Sequence, residues 1–116
     1  MLTLLVVKHF FFDFLYQPPY MYQNKGTYGH VGGVYHSMLH SVATMVILLK
    51  FGVDAVLVLY LFVGEFLIHY HMDWFKMWYN KRKGWGPNTH NQFWILLGVD
   101  QLVHYLTYIG ILAVVW

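Results

Sequence analysis

Apolar residues fall into four stretches along the chain, at residues 2–17, 34–51, 54–79 and 92–116, separated by polar or glycine-containing connections. Within each stretch the apolar positions run around the whole helical circumference rather than along one stripe, as they do in helices that face lipid. The pattern predicts an all-α, polytopic membrane protein, a four-transmembrane-helix bundle forming a single domain over residues 1–116. Pro18 and Pro19 should end the first helix, because neither continues the helical hydrogen-bond ladder and Gln17 is pushed towards extended geometry. Gly52 is expected to stop the second helix and Asp54 to cap the third. At ~1.5 Å per residue the first helix covers ~24 Å, short against a hydrocarbon core of ~30 Å. It begins almost at the first residue, without the basic leader or small-residue cleavage site of a removable signal peptide.

The polar positions inside these stretches are paired. His9 and Asp13, His36 and His40, His69 and Asp73, and Asp100 and His104 each stand four residues apart, roughly one helical turn, with one pair in every stretch. The pairs lie late in the first and third helices and early in the second and fourth. Antiparallel helices therefore bring all eight side chains to one level, ~8 to 15 Å below one membrane face. A single pair is accounted for by interhelical hydrogen bonds worth about 0.6 to 2 kcal/mol. Four pairs of metal-ligand type at one depth point instead to a shared metal site, which helical bundles build from facing helices. Histidine with carboxylate suits zinc first, with iron or manganese as alternatives, better than calcium or magnesium. Three buried aspartates with only Lys8 nearby would be balanced by two divalent ions. His9, Phe10, Asp13 and Phe14 also match His69, Tyr70, Asp73 and Trp74, which predicts two helical hairpins related by a pseudo-two-fold axis.

Composition narrows the chemistry. The chain is 59% hydrophobic and 10% charged, against about a quarter charged in an average globular domain. It has no cysteine, which excludes disulfides, thiolate metal sites and cysteine nucleophiles. A net charge of +2, with its basic residues scattered among apolar ones, excludes a nucleic-acid-binding face. Lys25, Lys76, Lys81, Arg82 and Lys83 stand at one membrane face and Lys50 at the other. The site should therefore lie near the cytoplasmic face of the inner (cytoplasmic) membrane, with both termini outside. Glu65, one turn before His69 and deeper, is the catalytic candidate as a general base, with a further metal ligand or a protonated core residue as its alternatives. His30, His71 and His90 are read as interfacial or loop histidines, and Lys76 as snorkelling, although it, Gln17 and Gln101 flank the pairs.

The segments HFFFDFLYQ from His9, HSMLH from His36, HYHMDWFK from His69 and DQLVHYLTYI from Asp100 resemble an uncharacterised family of small bacterial and phage polytopic membrane proteins, a domain of unknown function. More distantly they are similar to predicted membrane-bound metal-dependent hydrolases. The second resemblance implies a metal-dependent hydrolase and names no substrate; the depth of the pairs, within reach of lipid headgroups, makes the expected reaction hydrolysis of a lipid or a lipid-linked phosphate or ester at a dinuclear centre, with the bilayer as partner and homo-oligomers allowed. The competing readings are a metal-ion or proton transporter, a di-iron redox enzyme, and a phage membrane interaction protein with a structural metal. Against transport stands a lack of polar residues continuing the path through the outer halves of the helices. Against the redox enzyme stands the missing Glu-x-x-His signature.

Overall fold

The computed structural model describes residues 1–116, which are all-helical. Helix α1 covers Leu2–Phe10 and passes into a π-helical turn, Phe11–Leu15; the short α2 follows at Pro19–Tyr22, then α3 at Val31–Lys50, α4 at Ala55–Lys83 and α5 at Asn91–Val115. Helices α3, α4 and α5 are long and apolar enough to cross a membrane. The first stretch is not one straight α-helix to residue 17. It widens into the π turn after Phe10, where Tyr16 N–H bonds back to Phe11 O at 2.7 Å, and leaves helical geometry at Tyr16. Pro18 is extended and Pro19 opens α2, where its missing N–H costs nothing.

Helix ends follow local chemistry. At the end of α3, Gly52 adopts φ 76°, and the N–H groups of Gly52 and Val53 close onto Leu49 O and Leu48 O at 3.0 and 3.1 Å, the paired bonds of a Schellman stop. Asp54 then accepts from the N–H groups of Val56 and Leu57, both at 3.0 Å, capping α4 as the sequence predicts. Replacing Asp54 with Ala is expected to cost about 0.5–2 kcal/mol in detergent unfolding and to leave metal content unchanged, whereas Asp73→Asn lowers metal content. Equal metal loss in the two variants would contradict the assignment. Helix α3 begins three residues earlier than expected because His30 Nδ1 accepts from Gly32 N–H at 3.0 Å and serves as its cap. Helix α4 runs four residues further, because Asn80 to Lys83 are polar but helix-compatible and only Gly84, at φ 68°, stops it.

The bundle is 46 Å long and 26 by 22 Å across. Helix α1 packs against α3 and α5, and α4 packs against the same two, so α1 and α4 stand diagonally opposed. Met1, the α3–α4 turn at Phe51 to Asp54, and Trp116 line one cavity, which places both termini and that turn at one end, opposite the basic end at Lys81 to Lys83. Near the termini end a small apolar core joins Leu5, Leu48, Val58, Tyr108 and Ile111. Elsewhere the protein is inside out. Of its 24 buried residues only seven are hydrophobic, while large apolar side chains such as Leu59, Ile95, Leu106 and Val114 are exposed, the arrangement that hydrocarbon favours.

Candidate metal centre

The four i,i+4 pairs converge. His9 and Asp13 come from α1 and its π turn, His36 and His40 from α3, His69 and Asp73 from α4, and Asp100 and His104 from α5. All five histidines, Asp73 and Asp100 are buried, and the Asp13 side chain is only 5% exposed. Three sets of facing donor atoms result: Asp13, His36, His40 and His69; His69, Asp73 and His104; and Asp13, Asp100 and His104. They share Asp13, His69 and His104 and so form one continuous cluster.

It is the Nε2 atoms that meet. Those of His36 and His40 lie 3.1 and 3.0 Å from Asp13 Oδ1, and those of His36 and His69 lie 3.3 Å apart. Asp73 Oδ2 is 3.3 Å from His36 Nε2 and 3.4 Å from His69 Nε2; its Oδ1 is 3.3 Å from His104 Nε2. His104 Nε2 lies 3.1 Å from Asp100 Oδ1. Ligands held ~2.0 to 2.1 Å from one tetrahedral ion stand about 3.3 Å from each other, so these separations match the edges of a coordination polyhedron. His40 Nε2 sharpens the point: it is 3.0 Å from Asp13 Oδ1 yet has no partner in hydrogen-bond geometry. Two atoms facing a common third body are placed in this way, whereas a donor and its acceptor point at each other.

His9 is occupied differently. Its Nδ1 meets Tyr108 Oη at 3.0 Å, and its Nε2 lies 3.0 Å from Gln101 Oε1 and 3.1 Å from Asp13 Oδ2. Gln101 donates from Nε2 to Asp13 Oδ2 and Asp100 Oδ2, both at 3.1 Å, and so fixes two carboxylates from one side chain. Such contacts hold ligating groups in orientation.

Three buried lysines change the charge balance expected from sequence. Lys25 Nζ lies 2.8 Å from Asp73 Oδ2; Lys76 Nζ donates to Asp100 Oδ2 at 2.8 Å; and Lys8 Nζ donates to Glu65 Oε1 at 2.7 Å and to His40 O at 2.9 Å. Lys76 therefore turns into the bundle rather than snorkelling, because Asp100 on the neighbouring helix sits within its reach. Lys25 arrives from the loop before α3, which Tyr70 Oη ties to α4 by accepting Gly29 N–H at 2.6 Å. Glu65, the expected general base, is buried in an ion pair with Lys8. With neutral histidines, Asp13, Asp73, Asp100 and Glu65 face three ammonium groups, leaving one net negative charge.

The remaining histidines behave as expected. His71 bonds Leu67 O and Tyr28 Oη, His90 meets Thr89 Oγ1, and His30 caps α3. Gln17 reaches only the backbone oxygen of Asp13, at 2.6 Å. Tyr108 extends the four-residue spacing of Asp100 and His104 by one more turn, which brings its hydroxyl to His9.

The family described as Protein of unknown function (DUF3307) matches residues 1–116. The chain belongs to that family. No curated protein and no solved structure matches it. Membership agrees with the resemblance carried by the histidine and aspartate segments and assigns no activity, so the chemistry rests on the cluster itself.

Proposed function

We propose that this protein holds one divalent transition-metal ion, zinc by preference, among Asp13, His36, His40 and His69, and hydrolyses a phosphate or ester bond of a lipid or lipid-linked substrate. The observation that carries the metal is the set of Nε2 and carboxylate oxygen atoms of these residues facing one another at 3.0 to 3.3 Å. One ion is favoured over two by charge, because a single divalent cation and a singly charged anion bring the net negative interior to neutrality, whereas two ions leave a large positive excess. A bound ion would supply Lewis acidity and activate water. The chain supplies the rest. Lys25 and Lys76 place ammonium groups beside Asp73 and Asp100 where an anionic group would be held, and Gln101 keeps Asp13 and Asp100 in register. Glu65 serves to neutralise Lys8.

In this reading α1 with its π turn makes a fourth pass of the membrane, completing two hairpins around the site. The basic run Lys81, Arg82 and Lys83 supports an orientation with that end in the cytoplasm and both termini outside. Elemental analysis of protein purified in detergent without added metal tests the core of it. About one equivalent of zinc or manganese is expected. Iron would favour the redox alternative, and a metal-free protein that stays folded and takes up none on titration would sink the proposal.

Transport is the second reading, favoured by one observation. Ser37, Ser41 and Thr44 are buried on α3 with hydroxyls lacking any protein partner, and with the Lys8–Glu65 pair they continue the polar interior beyond the cluster. Metal or proton flux into liposomes would support it over hydrolysis.

A further inference from the structure

A groove of about 520 Å³ between α4 and α5 opens sideways, past the exposed side chains of Tyr60, Ile68, Leu106 and Val114. It exists because Gly64 and Gly110 leave open space, with nothing within 4 Å of a Cβ built on either. Its walls are apolar, and its two polar residues are Glu65 and Thr107. The same two residues line a small gap, too tight for a water molecule, together with His69, His104 and Tyr108. The groove and the cluster are thus separated by one layer of side chains. The groove runs ~16 Å along α5, from Val103 to Val114, and ~10 Å of that lies between Thr107 and the termini end.

The polar floor points to what fills it. Glu65 is 2% exposed, its Oε1 is held by Lys8, and its Oε2 has no partner, an acceptor that a buried site should satisfy. The Thr107 hydroxyl donates to Val103 O at 2.9 Å and keeps its lone pairs free for another donor. A hydrocarbon chain suits the walls, and a hydroxyl end suits the floor. A partner helix with an apolar lipid-facing surface would bring no donor to Glu65. On the opposite side Lys25, 4% exposed, and its loop cover the cluster, so the bilayer side is the thinner wall.

We infer that the α4–α5 groove binds the chain of a single-chain lipid alcohol, its hydroxyl end at Glu65 and Thr107, and holds such lipids one layer of side chains from the cluster. The link to catalysis rests on the hydrolytic reading, in which this is the chain of the substrate; the binding itself does not.

The test uses 1-decanol carrying a diazirine at the far end of its chain, irradiated with the full-length protein in nanodiscs, with adducts mapped by peptide mass spectrometry. Labelling is expected at Tyr60, Leu61 or Val114, suppressed by excess 1-decanol and not by decane. The Gly64→Leu/Gly110→Leu variant, whose added side chains enter open space, should lose about tenfold in labelling while keeping its metal content and melting temperature. Adducts spread evenly over the outer faces of all helices, or equal suppression by decane, would overturn the proposal. So would a disulfide-linked dimer formed through Gly110→Cys, which would assign the groove to a second copy. Site-specific labelling without phosphate release from decyl phosphate would leave the groove assignment standing and remove hydrolysis.

Discussion

Replacing Asp13 with Asn is expected to empty the site of metal. Asp13 Oδ1 lies 3.1 and 3.0 Å from the Nε2 atoms of His36 and His40, its Oδ2 faces His9 and Gln101, and it belongs to two of the three donor sets. Asparagine keeps the shape and one oxygen but removes the charge, leaving three carboxylates matched by three lysines with no excess to hold a divalent cation. Metal content measured by elemental analysis should fall below about a tenth of the wild-type value, a loss of at least about 1.4 kcal/mol in binding at limiting metal. Helical content should stay unchanged, since the amide still reaches the surrounding hydrogen-bonding groups. Wild-type metal content in this variant would exclude Asp13 as a ligand and shift the centre towards His69, Asp73 and His104.

The second large effect concerns Lys8 and Glu65. Replacing Lys8 with Met leaves a buried carboxylate without its cation, at a cost of about 3–5 kcal/mol, measurable as a shift in detergent unfolding. Adding Glu65→Gln should recover most of that loss, because two neutral groups of similar volume replace the pair. A general base would behave otherwise: Glu65→Gln alone would abolish activity without changing stability, and Lys8→Met would be mild. Non-additive recovery in the double variant separates the two roles.

The helical class, the stop at Gly52, the Asp54 cap and the convergence of the four pairs were all legible, because each depends on residues close in sequence or on helical period; the first helix instead ends at Tyr16, ahead of Pro18. The three lysines were not. Lys25 reaches Asp73 from a loop 48 positions away in the sequence, and nothing local in a glycine-containing connection announces that a side chain turns inward. Lys76 was misjudged because its alternative, reaching for the headgroups, depends on whether an aspartate on the next helix lies within reach. The same limit applies to Glu65, whose position one turn from His69 suggested chemistry until Lys8 from α1 was seen to hold it. The π turn was hidden too, since four residues keep His9 and Asp13 on one side in either helix type. Widened turns of this kind are frequent at functional sites, and Asp13 sits in this one.

The brevity of α1 bears on how the protein is made. Nine α-helical residues carrying Lys8 and His9, followed by a turn carrying Asp13, offer a poor case for entry into hydrocarbon, where a lysine or aspartate at mid-depth costs about 2.5–3.5 kcal/mol. The groups that repay this are Glu65 on α4, His36 and His40 on α3 and Gln101 on α5, all synthesised later. Within these residues the segment made before its partners is therefore the last that can settle, because the three long helices must first assemble a polar slot for it.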